Sequence, residues 1–385
     1  MRPDFDLTDD ELRATGSVKW TWPPADVLPA WVAELDVRPC PIIADALAGA
    51  LGRGSFGYPA ADAHYGLPEA TAEFVQRRFG HTIDPALVLS CGDVMAGVRL
   101  VLETLCEPAP VVVPVPAYPP FLDVVGVSGR QLVTVPMAGA GGRPVLDVEA
   151  IGAWLAAGAR TVLISQPHNP VGRTYSVAEL QALSDVVERH GARVISDEIH
   201  APLVLPGSSH VPFASIEGTA GHVTTVLAAS KAWNVPGLKC AQVVAGDARD
   251  RAALGGVPHV ANQGASPLGL VATVAAYTRG GPWLDALLDH LTEQRRLFGD
   301  LLAEHLPQVS WVPPEATYLA WVDARATGVC DPATAALDRG RVMVSRGATF
   351  GPGYDGFVRV NLGTSADRLH RIVERLATAW PAWPV

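Results

Sequence analysis

What the chain has little of narrows it first. Its five cysteines (Cys40, Cys91, Cys106, Cys240 and Cys330) are scattered, odd in number and free of any C-x-x-C pair. Neither a disulfide framework nor a zinc site is indicated, and buried small hydrophobes are the expectation. Basic residues are in deficit: 29 Lys and Arg against 39 Asp and Glu leave a net charge of −10. That excludes the basic excess a nucleic-acid or anionic-membrane partner would need. The opening MRPDFDLTDDEL is acidic where a signal peptide is basic and then apolar, and no apolar run approaches the roughly 20 residues of a membrane span. Internal repeats and low-complexity tracts are missing as well. The expectation is a cytoplasmic globular protein, and 385 residues are enough for two domains.

Residues 1–45 have few long periodic runs but carry SVKWTWPPADVLPAWVAELDV, an arm rich in tryptophan and proline that must lie on something. Helical patterns follow in IIADALAGALGR and LPEATAEFVQRRFG, with the turn SFGYPA and its Tyr58 between them. Then apolar runs alternate with helices, as in a mostly parallel sheet covered on both faces. ALVLS leads into Cys91, Gly92 and Asp93, PVVVPV into PAYPPF, RTVLIS into QPHNPVG, ARVIS into DEIH, and VTTVLAAS into Lys231. In such sheets ligands gather at the carboxyl ends of the strands. After about residue 265 two helical stretches, the second long enough to cross between domains, precede a smaller mixed unit. Its strands fall near VSWV, TYLAWVDA, VMVSRG and GFVRVNL, and its closing helix in ADRLHRIVERLATAW. The fold class is therefore α/β, with an N-terminal arm over 1–45 expected to pack on the small domain, a large domain over 46–265 and a smaller α+β domain over 266–385 that begins with the long inter-domain helix.

Lys231 stands out because a buried strand delivers it to its carboxyl end. Burial lowers the pKa of an ammonium and leaves a nucleophilic amine, as Schiff-base chemistry with a carbonyl cofactor requires. A lone lysine there is more often one that merely snorkels from a strand end, so its companions decide. A pyridine aldehyde phosphate would need a carboxylate at its ring nitrogen, a polar group at its phenolic oxygen, a ring stacked on one face and a helix N-terminus with a cation at its phosphate. Asp197, Asn169 and Tyr118 meet the first three needs. The backbone after Gly92, together with Lys239, meets the last.

The strings PAYPPF, QPHNPVGRTYS, ISDEIHAPL, SKAWNVPGLK and FVRVNL, in this order and spacing, resemble the fold type I enzymes dependent on pyridoxal phosphate (PLP), the aspartate aminotransferase superfamily. SVKW, LPAWVAELD and SFGY resemble its cystathionine β-lyase branch of bacterial C-S lyases, the MalY or PatB type. The resemblance implies a seven-stranded large domain, a PLP cofactor, a small amino-acid substrate and a homodimer in which Tyr58 reaches the neighbouring subunit's phosphate site. It further implies catalytic roles for Lys231 and Tyr118. Around the cofactor it places Lys231, Asp197, Asn169, Tyr118, Gly92, Asp93, Val94, Ser230, Lys239, Tyr58 and His200. Beside the substrate it places Arg359, Asn169 and Trp31, with Arg359 pairing with the α-carboxylate and Asn361 supporting it. His168 also flanks the site, although lone histidines are more often local hydrogen-bonders.

Three departures stand out. Glu34 and Leu35 replace aspartate and methionine near the expected substrate entrance, which bears on substrate identity; Asp93 occupies the phosphate turn, where an acidic side chain must point away from the dianion or weaken its binding; and Ala316 replaces a glycine, which would narrow the same entrance. The reaction implied is elimination of a thiol from an S-substituted cysteine. An aminotransferase is the alternative, and a catalytically silent protein of the same fold is a more distant one.

Overall fold

The computed structural model describes residues 2–139, 142–262 and 264–380. Among the described residues twelve strands form two sheets: β1 (Leu28–Ala30), β2 (Val88–Cys91), β3 (Val111–Val115), β4 (Leu132–Pro136), β5 (Thr161–Ser165), β6 (Arg193–Asp197), β7 (Val223–Leu227), β8 (Ala241–Val244), β9 (Ser310–Trp311), β10 (Leu319–Asp323), β11 (Val342–Arg346) and β12 (Phe357–Asn361). The large sheet has seven strands in the order β2-β8-β7-β6-β5-β3-β4. All its pairings are parallel except the two that β8 makes with β2 and β7.

The reason for this sheet is in the side chains. β3, β5 and β7 are buried along their whole length, so valine, leucine and isoleucine serve both faces. One apolar cluster packs helices Val94–Leu105 and Pro119–Val127 on one side, and another packs Val148–Ala156 and Val177–Arg189 on the opposite side. The expected helix and strand runs of this region are present, but two strands went unread. LVTVP of β4 is an edge strand with only alternate residues buried, and AQVV of β8 follows so closely on the lysine loop that it reads as part of it.

The small sheet runs β1-β11-β12-β10-β9, with β1 parallel to β11 and the other pairs antiparallel. Its first strand comes from the N-terminal arm, so the tryptophan-rich stretch is built into the small sheet by main-chain pairing. The long helix Gly281–His305 serves both units. Trp283, Leu287 and Leu291 pack with Phe74 and Trp233, while Phe298, Leu301 and Leu302 pack under the small sheet. Helix Ala366–Ala379 closes that sheet with Leu369, Ile372, Val373 and Leu376 buried at helical spacing. No described helix is long and apolar enough to cross a membrane.

Candidate active site

Residues following β1, β5, β6 and β7 meet residues of β12 around a cavity of about 210 Å³. Asp197, the last residue of β6, is buried there. Its Oδ1 accepts from the Ile199 backbone NH at 2.9 Å, the one hydrogen bond its carboxylate makes among the described residues. Burial, reinforced by the charge of neighbouring Glu198, pushes its pKa up to about 7. Lys231 lies four residues past β7. Burial, with the charge of Arg359 added, pushes its amine down to about 8, and its Nζ donates to the Ala33 carbonyl at 2.9 Å. The amine expected from the sequence is therefore nucleophilic near neutral pH.

Asn169 and Arg359 are joined directly. The guanidinium Nη1 donates to Asn169 Oδ1 at 3.0 Å, and Nη2 donates to the Trp31 carbonyl at 3.0 Å and to Ser345 Oγ at 3.2 Å. The ring of Phe350 lies 4.9 Å from the guanidinium carbon. Arg359 is buried, which pulls its pKa down to about 10, and its Nε has no hydrogen-bond partner among the described residues. A buried cation with a free donor is a site for an anion that the protein itself does not supply.

Helix Val94–Leu105 begins at the cavity. Asp93 caps it, with Oδ1 accepting from the Ala96 NH at 2.8 Å, while Oδ2 pairs with Lys239 Nζ at 2.8 Å. Against the cost of burial, Lys239 and these amides hold the Asp93 carboxyl below its ordinary value. The acidic residue at the anion turn is thus neutralised locally. It leaves the helix N-terminus available to an anion, and the charge of Lys239 is shared with Asp93. Val94, Ser230 and Tyr118 line the same cavity, and burial raises the Tyr118 phenol above its usual value.

His200 lines the cavity with Nδ1 unpartnered, and burial beside Lys231 and Arg359 pushes its pKa down to about 3, so it is a neutral imidazole. His168 behaves as the local hydrogen-bonder expected, between the Pro116 carbonyl at 2.7 Å and the Tyr175 hydroxyl at 2.8 Å.

Other expected residues are not on the cavity wall. Gly92 sits one residue behind it. Tyr58 is 96% exposed within the single chain. The Trp31 indole donates to the Lys19 carbonyl at 3.2 Å, so its contribution is the carbonyl that holds Arg359. Leu35 is a core residue packed with Phe5, Tyr318 and Leu319, and Glu34 accepts from Ser17 Oγ. Neither side chain lines the cavity. Residues 31–36 approach it through their backbone, with Val32 and Ala33 on the wall. Ala316 is also off the wall, buried in a bridge to Val204.

Sequence reading missed Ser165, whose Oγ accepts the Asn169 NH at 3.1 Å, as well as Ser345, Tyr318 and Asn234. The first ends a strand, so the strand-end rule would have found it. Asn234 brackets Leu35, accepting from its NH and donating to its carbonyl, both at 2.9 Å. That partnership spans 199 residues and leaves no local signal. All three lysines of the chain, Lys19, Lys231 and Lys239, lie in or directly behind this site.

The model of the aminotransferase class I and II family matches residues 32–376. The chain belongs to that family. The cystathionine beta-lyase of Corynebacterium glutamicum is 36% identical over 96% of this chain and 98% of its own. The cystathionine beta-lyase PatB of Bacillus subtilis is 33% identical over 98% and 99%. Among solved structures, cystalysin from Treponema denticola, which contains a pyridoxal 5'-phosphate cofactor, matches with a TM-score of 0.92 at 25% identity, covering 98% of this chain and 99% of that one.

The cavity fits that cofactor on its own terms. It offers a depressed lysine amine, a carboxyl with room for one more donor, an asparagine oriented by an arginine, an unpartnered imidazole nitrogen and a helix N-terminus.

Proposed function

We propose that this chain is a PLP-dependent C–S β-lyase that acts on an S-substituted cysteine and releases a thiol, pyruvate and ammonia. The observation that carries the reading is the convergence of Lys231, Asp197 and the Asn169–Arg359 pair on one buried cavity, in a family whose relatives over nearly the whole chain bear the name cystathionine beta-lyase. Bound PLP supplies an electrophilic aldehyde and a ring that takes up the electron pair left at Cα.

The chain's own residues do the rest. Lys231 would be the covalent anchor for the aldehyde and, when released from it, the base for the Cα proton. Asp197 would hold a proton at the ring nitrogen: burial raises its pKa, and a cationic partner would ionise it. Asn169 donates to the phenolic oxygen, because Arg359 occupies its carbonyl and turns its amide NH₂ away. Arg359 offers Nε to the substrate carboxylate, and Tyr118 covers one face of the ring. The NH groups opening helix Val94–Leu105, with Lys239, receive the phosphate. Loss of the Cα proton and of the thiolate from Cβ leaves an unsaturated amine, which water converts to pyruvate and ammonia.

We further propose a cytoplasmic homodimer. Tyr58, exposed in one chain, would complete the phosphate site of its partner. Co-expressing Tyr58→Ala with Lys231→Ala tests this, since each mixed dimer would regain one intact site. No recovery in verified mixed dimers would place Tyr58 elsewhere.

The reaction is tested with enzyme and a cysteine conjugate, no keto acid being added. Thiol, ammonia and pyruvate should appear in equal amounts over many turnovers. A reaction that stops after one equivalent per site and restarts on addition of a keto acid would identify an aminotransferase instead.

A further inference from the structure

Lys19 is the most hidden of the three lysines and has no place in the chemistry above. It lies in the short helix Val18–Thr21 and is 1% exposed. Its Nζ is 2.9 Å from Asp36 Oδ1, whose side chain is also 1% exposed, and donates to the Glu34 carbonyl at 3.1 Å. Asp36 Oδ1 also accepts from the Trp20 indole NH at 2.6 Å. Its Oδ2 has no hydrogen-bond partner among the described residues, and Arg368 Nη1 remains 3.8 Å away. Burial pushes the Lys19 ammonium down from its ordinary value, and the charge of Asp36 draws it back. A buried ion pair is weak evidence for stability, because removing two charges from water costs about as much as their attraction returns. Its best-attested use is to fix a register.

The register at stake is that of residues 31–36, whose backbone lies between the ion pair and the cavity. On the cavity side, the Trp31 carbonyl accepts from Arg359, the Val32 carbonyl from Asn361 at 2.6 Å, and the Ala33 carbonyl from Lys231 and from the Tyr318 hydroxyl at 3.0 Å. The Glu34 carbonyl is shared. It accepts from Lys19 on one side and from Asn361 on the other at 2.7 Å. Asn361 is two residues from Arg359 on β12, so one peptide oxygen connects the buried pair to the strand that carries the guanidinium. A slip of this segment would move the Trp31 carbonyl away from Arg359 Nη2 and let the guanidinium turn.

We propose that Lys19 and Asp36 are positioning residues for the amino-acid substrate, setting the register of residues 31–36 and, through the Trp31 carbonyl, the direction in which Arg359 meets the carboxylate. The proposal deepens the reading of Arg359 as the carboxylate-binding group and rests on it. The lysine of SVKW thus bonds the glutamate carbonyl and the aspartate of WVAELD.

Lys19→Met alone strands the buried Asp36 charge and destabilises the fold, so the informative variant is Lys19→Met with Asp36→Asn. It removes both charges and keeps the acceptor for the Trp20 indole. Holoenzyme of this double variant should keep its cofactor content and melt within a few degrees of the wild type. Its affinity for L-alanine, read from the change in visible absorbance, should fall roughly 10- to 100-fold, the scale of a small misplacement at a binding group. KM for an S-substituted cysteine should rise in step, with kcat changed less. A folded double variant with wild-type affinity for L-alanine overturns the proposal, as does a double variant that yields no folded protein, since the pair would then serve stability. Arg359→Ala in the same titration separates the two readings. If it leaves L-alanine binding unchanged, the carboxylate reading falls and takes the proposal with it; if it weakens binding while the double variant does not, the proposal alone falls.

Discussion

The cavity wall formed after β5, β6 and β7 and the wall formed by residues 31–36 with β12 differ in how far apart their parts lie in the chain. On the first, Asn169, Asp197 and Lys231 each sit at or just beyond the end of successive parallel strands, so each backbone is placed by its own strand, although the Asn169 and Lys231 side chains also bond across to the second wall. On the second, Arg359 is held by Asn169, 190 residues away, and by the Trp31 carbonyl, 328 residues away. On the proposed reading the strand-end wall presents side chains that would act on the cofactor, and the far wall presents backbone carbonyls and one guanidinium that would act on the substrate. A wall built from strand ends tolerates change elsewhere in the molecule, whereas one built from long-range hydrogen bonds is set by whatever fixes the arm.

If that division holds, substitutions on the two walls should separate into cofactor effects and substrate effects. The largest effect is expected on the strand-end wall. Lys231→Ala removes the covalent anchor and the base together, and turnover should fall to near nothing. Borohydride reduction of the wild-type holoenzyme and peptide mapping should place the label on Lys231, and a label on Lys19 or Lys239 would break the assignment. Next comes Arg359→Ala on the far wall. The lost charge-assisted contact is worth about 1.5 to 3 kcal/mol, so amino-acid affinity should drop roughly ten- to over a hundredfold while cofactor affinity changes little. Equal losses of both would erase the distinction between the walls.

A pH experiment on cofactor-free protein isolates the strand-end wall. Asp197 titrates at about 7 in the folded chain against an ordinary value of 3.8. Between those pH values the unfolded chain has released a proton that the folded chain still holds, so stability should fall as pH rises from about 4 to 7, by at most about 1.4 kcal/mol per pH unit from this group. Urea unfolding across that range, with Asp197→Asn as reference, measures the difference. A slope unchanged in the variant would assign the titration to another group. The smallest effect is expected from Ser345→Ala, which removes one neutral support of Arg359 worth about 0.5 to 1.5 kcal/mol. KM for the amino acid should rise a few-fold with cofactor binding untouched, and a change in cofactor affinity would contradict the division.

The legible part of the site follows the same line. Lys231, Asp197, Asn169 and Tyr118 were readable because an apolar run ending in a polar residue is a local pattern, and the order of five such runs raised the chance that they share one edge. Arg359 was placed by resemblance, since an arginine on a strand face carries no signal of its own. Glu34 and Leu35, the two departures expected near the substrate entrance, keep their side chains off the cavity wall. Leu35 faces the core, and Glu34 is tied to Ser17, because the segment turns its main chain to the cavity. Asp93 looked adverse to an anion until its partners, the Ala96 NH and Lys239, were visible.

The sequence alone determined the parallel sheet, the helices on both its faces, the lysine at a strand end and the family. These follow from periodicity, burial and short motifs, which act over a few residues. Only the tertiary structure decided that β1 joins the small sheet, that the carbonyls of residues 31–34 hold Arg359, Asn361, Lys231 and Lys19, and that Lys19 and Asp36 form a pair hidden from solvent. A main-chain carbonyl is the same in every residue, so its choice of partner leaves no mark on the sequence. That choice is made when the arm packs between the small sheet and the lysine loop, at distances along the chain that no local pattern spans.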